Sequence, residues 1–129
     1  MDIESVREYC LSFPHATENV QWGADLVFKI AGKMFAVIGL DEAADHCLSF
    51  KCTPEKFAEL TERTGIVPAP YVARYHWVAL ETFAALSDKE LKELLRNSYD
   101  LVFAKLPQKA KASLAETKSA GKKKSQKRR

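Results

Sequence analysis

The residues able to do chemistry in this chain are few. Cys47 beside His46 offers a thiol and a base, and nucleophilic catalysis needs such a pair within hydrogen-bond reach. Neighbours on a strand point to opposite faces, so these two cannot meet locally, and the third histidine, His76, can approach His46 only if their strands are adjacent. Cys10, Cys47 and Cys52 are an odd number without C-x-x-C spacing, which fits reduced thiols acting as small hydrophobes better than a disulfide scaffold or a zinc site. There is no G-x-S-x-G, no Gly-rich phosphate loop, no G-x-G-x-x-G and no H-E-x-x-H, and the five glycines are scattered singly. The expectation is a non-enzymatic protein with no metal and no cofactor.

Binding chemistry is better represented. Alternation along the strands expected below places Lys29, Ser49 and Lys51 opposite Leu26, Phe28, Leu48 and Phe50, with Trp77 alternating against His76 and Val78. Lysines interleaved with an aromatic suit phosphate and base contacts, or else they are a solvated sheet face with Trp77 covering part of the core. A second group follows the stiff pair Pro68 and Pro70, where Tyr71, Arg74 and Tyr75 project two aromatics and a cation from an extended segment. That PAPY loop is either a ligand or partner loop, with Pro70, Tyr71 and Tyr75 as its contacts, or a strap over the core.

Charge supplies the third group. The total of +3 divides into an acidic body, with 10 Lys and Arg against 16 acids in residues 1–104, and a basic end, with ten bases against Glu116 alone in residues 105–129. The body is thus −6 and the end +9. Lys118, Lys122, Lys123, Lys124, Lys127, Arg128 and Arg129 make a cationic arm that attracts DNA or another polyanion without reading sequence, or simply solubilises the chain.

These groups need elements to hold them. At 129 residues, 47% hydrophobic and 29% charged, one soluble domain is expected. No apolar run approaches the ~20 residues that span a bilayer, and the acidic N-terminus is unlike a signal peptide, so a cytoplasmic monomer with no membrane role is expected. Ile3, Val6, Tyr9, Cys10 and Phe13 lie at helical spacing behind Asp2, an N-cap, and Pro14 ends the run. After the polar HATENVQWGAD come DLVFKI and MFAVIGL, paired as a hairpin through Ala31, Gly32 and Lys33, and then HCLSFKC. Thr53 and Pro54 open a second helix that Gly65 should stop, and HWVAL is a fourth strand. Ser87 and Glu90 form an S-x-x-E capping box for a third helix, buried along Leu91, Leu94, Leu95, Ser98 and Val102 and closed by Pro107.

The order α-β-β-β-α-β-α predicts an α+β fold, a mainly antiparallel sheet of about four strands with helices on one face. The folded domain is assigned to residues 1–108, and 109–129, poor in apolar residues, to a basic flexible tail.

Six motifs in order carry a resemblance: WG (22, 23), LVFKI-AGKMFAV (26–37), FKC (50–52), G-x-x-PAPY (65–71), Y-HWVAL (75–80) and SYDLVFAKLP (98–107). In these the chain resembles the MmcQ/YjbR family of small bacterial proteins, from the first helix to about Lys109. The resemblance implies a frataxin-like (CyaY-like) fold and a DNA-binding label. It also retains Lys29, Lys51 and Trp77. The nucleic-acid candidates are therefore Lys29, Lys51, Arg74, Trp77, Lys122, Lys123, Lys124, Lys127, Arg128 and Arg129. The alternative is a protein-interaction or small-ligand module built on the PAPY loop and the sheet.

Overall fold

The computed structural model describes residues 1–41 and 43–120. The chain runs α1 (Ile3–Leu11), β1 (Thr17–Gln21), β2 (Asp25–Ile30), β3 (Lys33–Gly39), β4 (Leu48–Lys51), α2 (Pro54–Leu60), β5 (Ile66–Pro68), β6 (Trp77–Leu80), α3 (Asp88–Ala104) and α4 (Gln108–Ala120), with 3₁₀ turns at Ala73–Tyr75 and Phe83–Ala85. The fold is α+β, as expected, but the sheet has six strands rather than about four, in the order β1-β2-β3-β4-β6-β5, with every neighbouring pair antiparallel. The two additional strands are its edges. β1 is a polar strand whose ladder to β2 runs from Thr17↔Lys29 to Gln21↔Asp25. β5 is three residues long and ends at Pro68, a residue an edge tolerates because one side of the strand needs no N–H.

One face of the sheet is the core. Phe28, Ile30, Phe35, Ala36, Ile38, Leu48, Phe50, Ile66, Val78 and Leu80 pack there against Val6, Cys10 and Phe13, against Leu60, and against Leu91, Leu95, Tyr99 and Val102. Asp2 caps α1 in a reciprocal box with Ser5, and Thr53 caps α2 through the Lys56 N–H. Two local expectations need correction. α2 ends at Leu60 with Thr61 as its C-cap, so Gly65 is no helix stop; at φ +89° it makes the turn into β5. Ser87 does accept from the Glu90 N–H, but the Glu90 carboxylate leaves the cap for the Arg63 guanidinium, at 3.0 and 3.2 Å.

A β-bulge decides what the second face carries. Phe28 pairs with Ala36 and Lys29 with Met34, which leaves Phe35 as an extra residue on β3. Phe35 and Ala36 are both buried in the main core, while Met34 and Val37 join a separate cluster with Trp77, Ala79, Ala69, Val67 and Val72. The face opposite the helices is therefore partly apolar.

α4 occupies residues that the sequence assigns mostly to a tail. Its Ala110 and Leu114 pack against the core, and Lys111 donates to the Ala104 carbonyl at 3.0 Å while lying 5.9 Å from the Phe103 ring centroid. Lys122, Lys123, Lys124, Lys127, Arg128 and Arg129 lie outside the described residues.

Candidate binding site on the open face of the sheet

Trp77 begins β6 directly opposite Lys51 at the end of β4, and Ala79, Ser49 and Val37 line up in the next row across three strands. Lys51, Ser49 and Trp77 thus share the face away from the helices, as alternation predicts. The expected open platform is nevertheless absent. Trp77 is only 5% exposed, because the segment 69–76 that joins β5 to β6 crosses this face and packs Ala69 and Val72 against it. That segment is a chain of short turns. The Ala69 N–H bonds the Trp77 carbonyl at 3.0 Å, Tyr75 N–H the Val72 carbonyl at 3.0 Å and His76 N–H the Ala73 carbonyl at 2.9 Å. His76 reverses the chain at φ +66°, and its carbonyl accepts both the Cys52 N–H at 2.9 Å and the Cys52 thiol at 3.3 Å.

Beside this strap lies a hollow of about 510 Å³, lined by Met34, Val37, Trp77, Val72, Pro70, Ala69, Tyr71 and Trp22, with Asp25 and Ser49 as polar members. Its size falls in the ~300–1,000 Å³ span of ligand clefts. Trp22 and Tyr71 are 68% and 99% exposed, large aromatics held in solvent at its rim. Both have left-handed backbones, φ +54° and +70°, a conformation costing a non-glycine residue on the order of 1 kcal/mol. Trp22 shares the β1–β2 hairpin turn with Gly23, itself at φ +86°, and the same left-handed backbone recurs at His15, Ala31 and His76, so these conformations mark tight turns that hold the two rings out in solvent.

A second hollow, about 330 Å³, adjoins the first and shares Met34, Val72 and Trp77 with it. Lys33, Lys51, Lys105 and Tyr75 also line it. The Lys51 ammonium donates to the Tyr75 carbonyl at 2.7 Å, and burial together with the nearby Lys105 charge pushes its pKa below the usual lysine value. The Lys51 backbone N–H donates to the buried Ser98 hydroxyl at 3.0 Å.

The expected site residues therefore part company. Lys51, Trp77, Pro70, Tyr71 and Tyr75 line the two hollows. Lys29, on β2 opposite Met34, lines neither, and Arg74 turns its guanidinium over the Tyr75 ring, 4.9 Å from the centroid. Trp22, Asp25, Met34, Val37, Lys33 and Lys105 were not singled out as site residues from the sequence. The WG dipeptide was the available signal for Trp22: a tryptophan beside glycine, in a polar stretch, marks an exposed turn. Lys105, the C-cap of α3, reaches the site only through tertiary topology.

The sulfur and imidazole groups form no comparable arrangement. β4 and β6 are adjacent but antiparallel, so His76 lies beside Cys52 while Cys47 bonds Leu80 at the other end of the pair. Burial raises all three thiols, Cys10 to about 12 and Cys52 to about 11. Among the described residues, no three of His, Cys, Asp and Glu are grouped to hold a metal ion, and no helix is long and apolar enough to cross a membrane.

The family model for YjbR matches residues 11–101, which span every strand of the sheet and both rims of the larger hollow. The chain belongs to the YjbR family. Among solved structures, it is similar to Deinococcus radiodurans protein DR2400, described as a DUF419 domain, with 29% identity, a TM-score of 0.76 and coverage of 88% of this chain and 87% of that one. A Pseudomonas syringae protein shares the fold at 22% identity and a TM-score of 0.63, over 78% of this chain and 98% of that one. No curated protein matches. In this YjbR protein the walls common to both hollows, Met34, Val72 and Trp77, belong to the sheet face away from the helices.

Proposed function

We propose that the folded body is a non-enzymatic binding module whose larger hollow receives an apolar or aromatic group of a small ligand. The observation that carries this is the aromatic rim: Trp22 and Tyr71, held exposed on tight turns, flank an apolar floor of Met34, Val37 and Trp77. Asp25 at its edge opposes the close approach of phosphates. This favours the ligand module over a nucleic-acid platform for the sheet. The six-stranded antiparallel sheet with helices on one face supports the frataxin-like (CyaY-like) description of the fold.

The test is calorimetric titration with 1-naphthaleneethanol, a neutral aromatic probe. Saturable binding that weakens at least tenfold in Trp22→Ala and in Tyr71→Asn is expected; binding unaffected by both variants, or none at all, refutes the reading.

A second reading concerns the chain's end and has its own observation, the +9 charge of residues 105–129. We infer non-specific electrostatic binding of DNA or another polyanion there. If about five of these charges meet phosphates, the log-log salt slope on duplex DNA is roughly −4 to −5. Replacing Lys122, Lys123, Lys124, Lys127, Arg128 and Arg129 with Gln should flatten that slope; an unchanged slope places any binding elsewhere.

A further inference from the structure

We propose that the smaller hollow is an anion site, and that the two hollows together bind one amphipathic small molecule. Its aromatic or branched hydrocarbon body lies over Trp77 between Trp22 and Tyr71, and its single carboxylate or phosphate sits among Lys33, Lys51 and Lys105. The inference rests on the reading of the larger hollow and adds the charge and orientation of what enters it.

Three lysines from separate places converge here: Lys33 at the start of β3, Lys51 at the end of β4 and Lys105 capping α3. No acid lines the hollow with them, and among the described residues none of the three is in an ion pair. Arg7, Lys56, Arg63 and Arg96 of the same body each meet a carboxylate, while Lys29, Arg74, Lys89 and Lys92 are in none of the ion pairs among the described residues; what distinguishes Lys33, Lys51 and Lys105 is that they line one hollow. Two lysines of a body that is −6 over residues 1–104, Lys33 and Lys51, thus join Lys105, the first cation of the basic end, around one depression that no acid lines. Lys51 is half-buried with the Lys105 charge nearby, and its pKa is pushed down by that burial first and by Lys105 second, so an anion arriving beside it relieves an unfavourable placement, while Lys33 and Lys105 stand exposed at the edge of the hollow.

Lys51 is also aimed. Its backbone is fixed by Ser98 and one ammonium proton is taken by the Tyr75 carbonyl, which leaves two donors for a ligand. Met34, Val72 and Trp77 line both hollows, so the apolar and cationic regions lie side by side. Asp25 lies only in the larger hollow, so the combined site has an acidic edge in one part and a cationic cluster in the other. That asymmetry selects a molecule with its anion at one end. It disfavours a polyphosphate strand, which would carry charge past Asp25.

The full chain is titrated in a calorimeter with 1-naphthaleneacetate, 1-naphthyl phosphate, neutral 1-naphthaleneethanol and cationic 1-naphthaleneethylamine. Both anions should bind at least tenfold tighter than the alcohol, and the amine no tighter than the alcohol. Lys51→Ala should bring the anions down to the affinity the same variant shows for the alcohol. Lys105→Gln, at an exposed helix end, should reduce the preference without disturbing the fold. If anions and alcohol bind equally, the anion site is refuted while the apolar hollow stands. An anion preference that survives both substitutions also refutes it. If none of the four probes binds, both readings fall.

Discussion

Ser98 donates its hydroxyl to the Phe35 carbonyl at 2.6 Å and accepts the Lys51 N–H at 3.0 Å, so one fully buried side chain of α3 joins β3 to β4 beneath the candidate site. The β3–β4 register extends from Ile38↔Leu48 only to Ala36↔Phe50, and the bulge leaves Phe35 without a strand partner in the β2 register. Ser98 therefore supplies partners to backbone groups at the end of the ladder. Ser98→Ala leaves both unpaired in a buried place, at roughly 1–3 kcal/mol. Thermal melts should show Tm lowered by about 5–10 °C, with weaker anionic-probe binding at temperatures where the variant is folded. An unchanged Tm would show that other groups satisfy Phe35 and Lys51.

Tyr71 separates stability from binding. Its ring is 99% exposed and its backbone sits at φ +70°, where asparagine is better tolerated. Tyr71→Asn should leave Tm unchanged or slightly raised while costing probe affinity at least tenfold. A marked fall in Tm would mean that the ring supports the strap instead.

The thiols should be quiet. With Cys10 raised to about 12 and Cys52 to about 11 by burial, neither forms thiolate near neutral pH, and burial raises the half-buried Cys47 as well. Under native conditions at pH 7.5, a disulfide reagent should label Cys10 and Cys52 only on unfolding, with slow labelling of Cys47. Rapid labelling of Cys47 would revive a nucleophilic role for it.

Acid should loosen the junction of α1 with the β1 edge. Arg7 holds Glu18 by two hydrogen bonds, 2.8 and 2.6 Å, and these lower the Glu18 pKa below its ordinary 4.5. A carboxyl with a depressed folded-state pKa stabilises the fold above its unfolded pKa and loses that contribution as pH falls through the folded value. Melts taken below about pH 4.5 should therefore show the wild type losing its advantage over Glu18→Gln, the two converging at the lowest pH. A difference that does not vary across this range would assign the effect to packing.

Much of the frame was legible because it follows from local rules. Asp2, Thr53 and Ser87 cap their helices as their side chains dictate, and Leu91, Leu95, Ser98 and Val102 lie buried at helical spacing. β1 escaped because its residues are mostly exposed and polar, and its pairing to β2, which apolar alternation does not encode, sets it in the sheet. α4 escaped because Ala110 and Leu114 contribute too few apolar contacts to give a pattern, yet they find the core. The site was half legible. Lys51, Trp77 and Tyr71 came from alternation and from the proline loop, but the bulge at Phe35 that turns Met34 and Val37 outward has no signature in MFAVIGL. Nor does alternation reveal that the segment 69–76 covers Trp77.

In the proposed complex a ligand enters between Trp22, Tyr71 and Trp77. The chain has two tryptophans and both line the larger hollow, so its two indole N–H signals in a ¹H–¹⁵N correlation spectrum report on that place directly. Titration of the full chain with 1-naphthaleneacetate should move both indole signals along one saturable curve, with backbone shifts centred on residues 69–77 and on Met34 and Val37. Indole signals that stay still while shifts appear elsewhere would place the ligand outside this hollow.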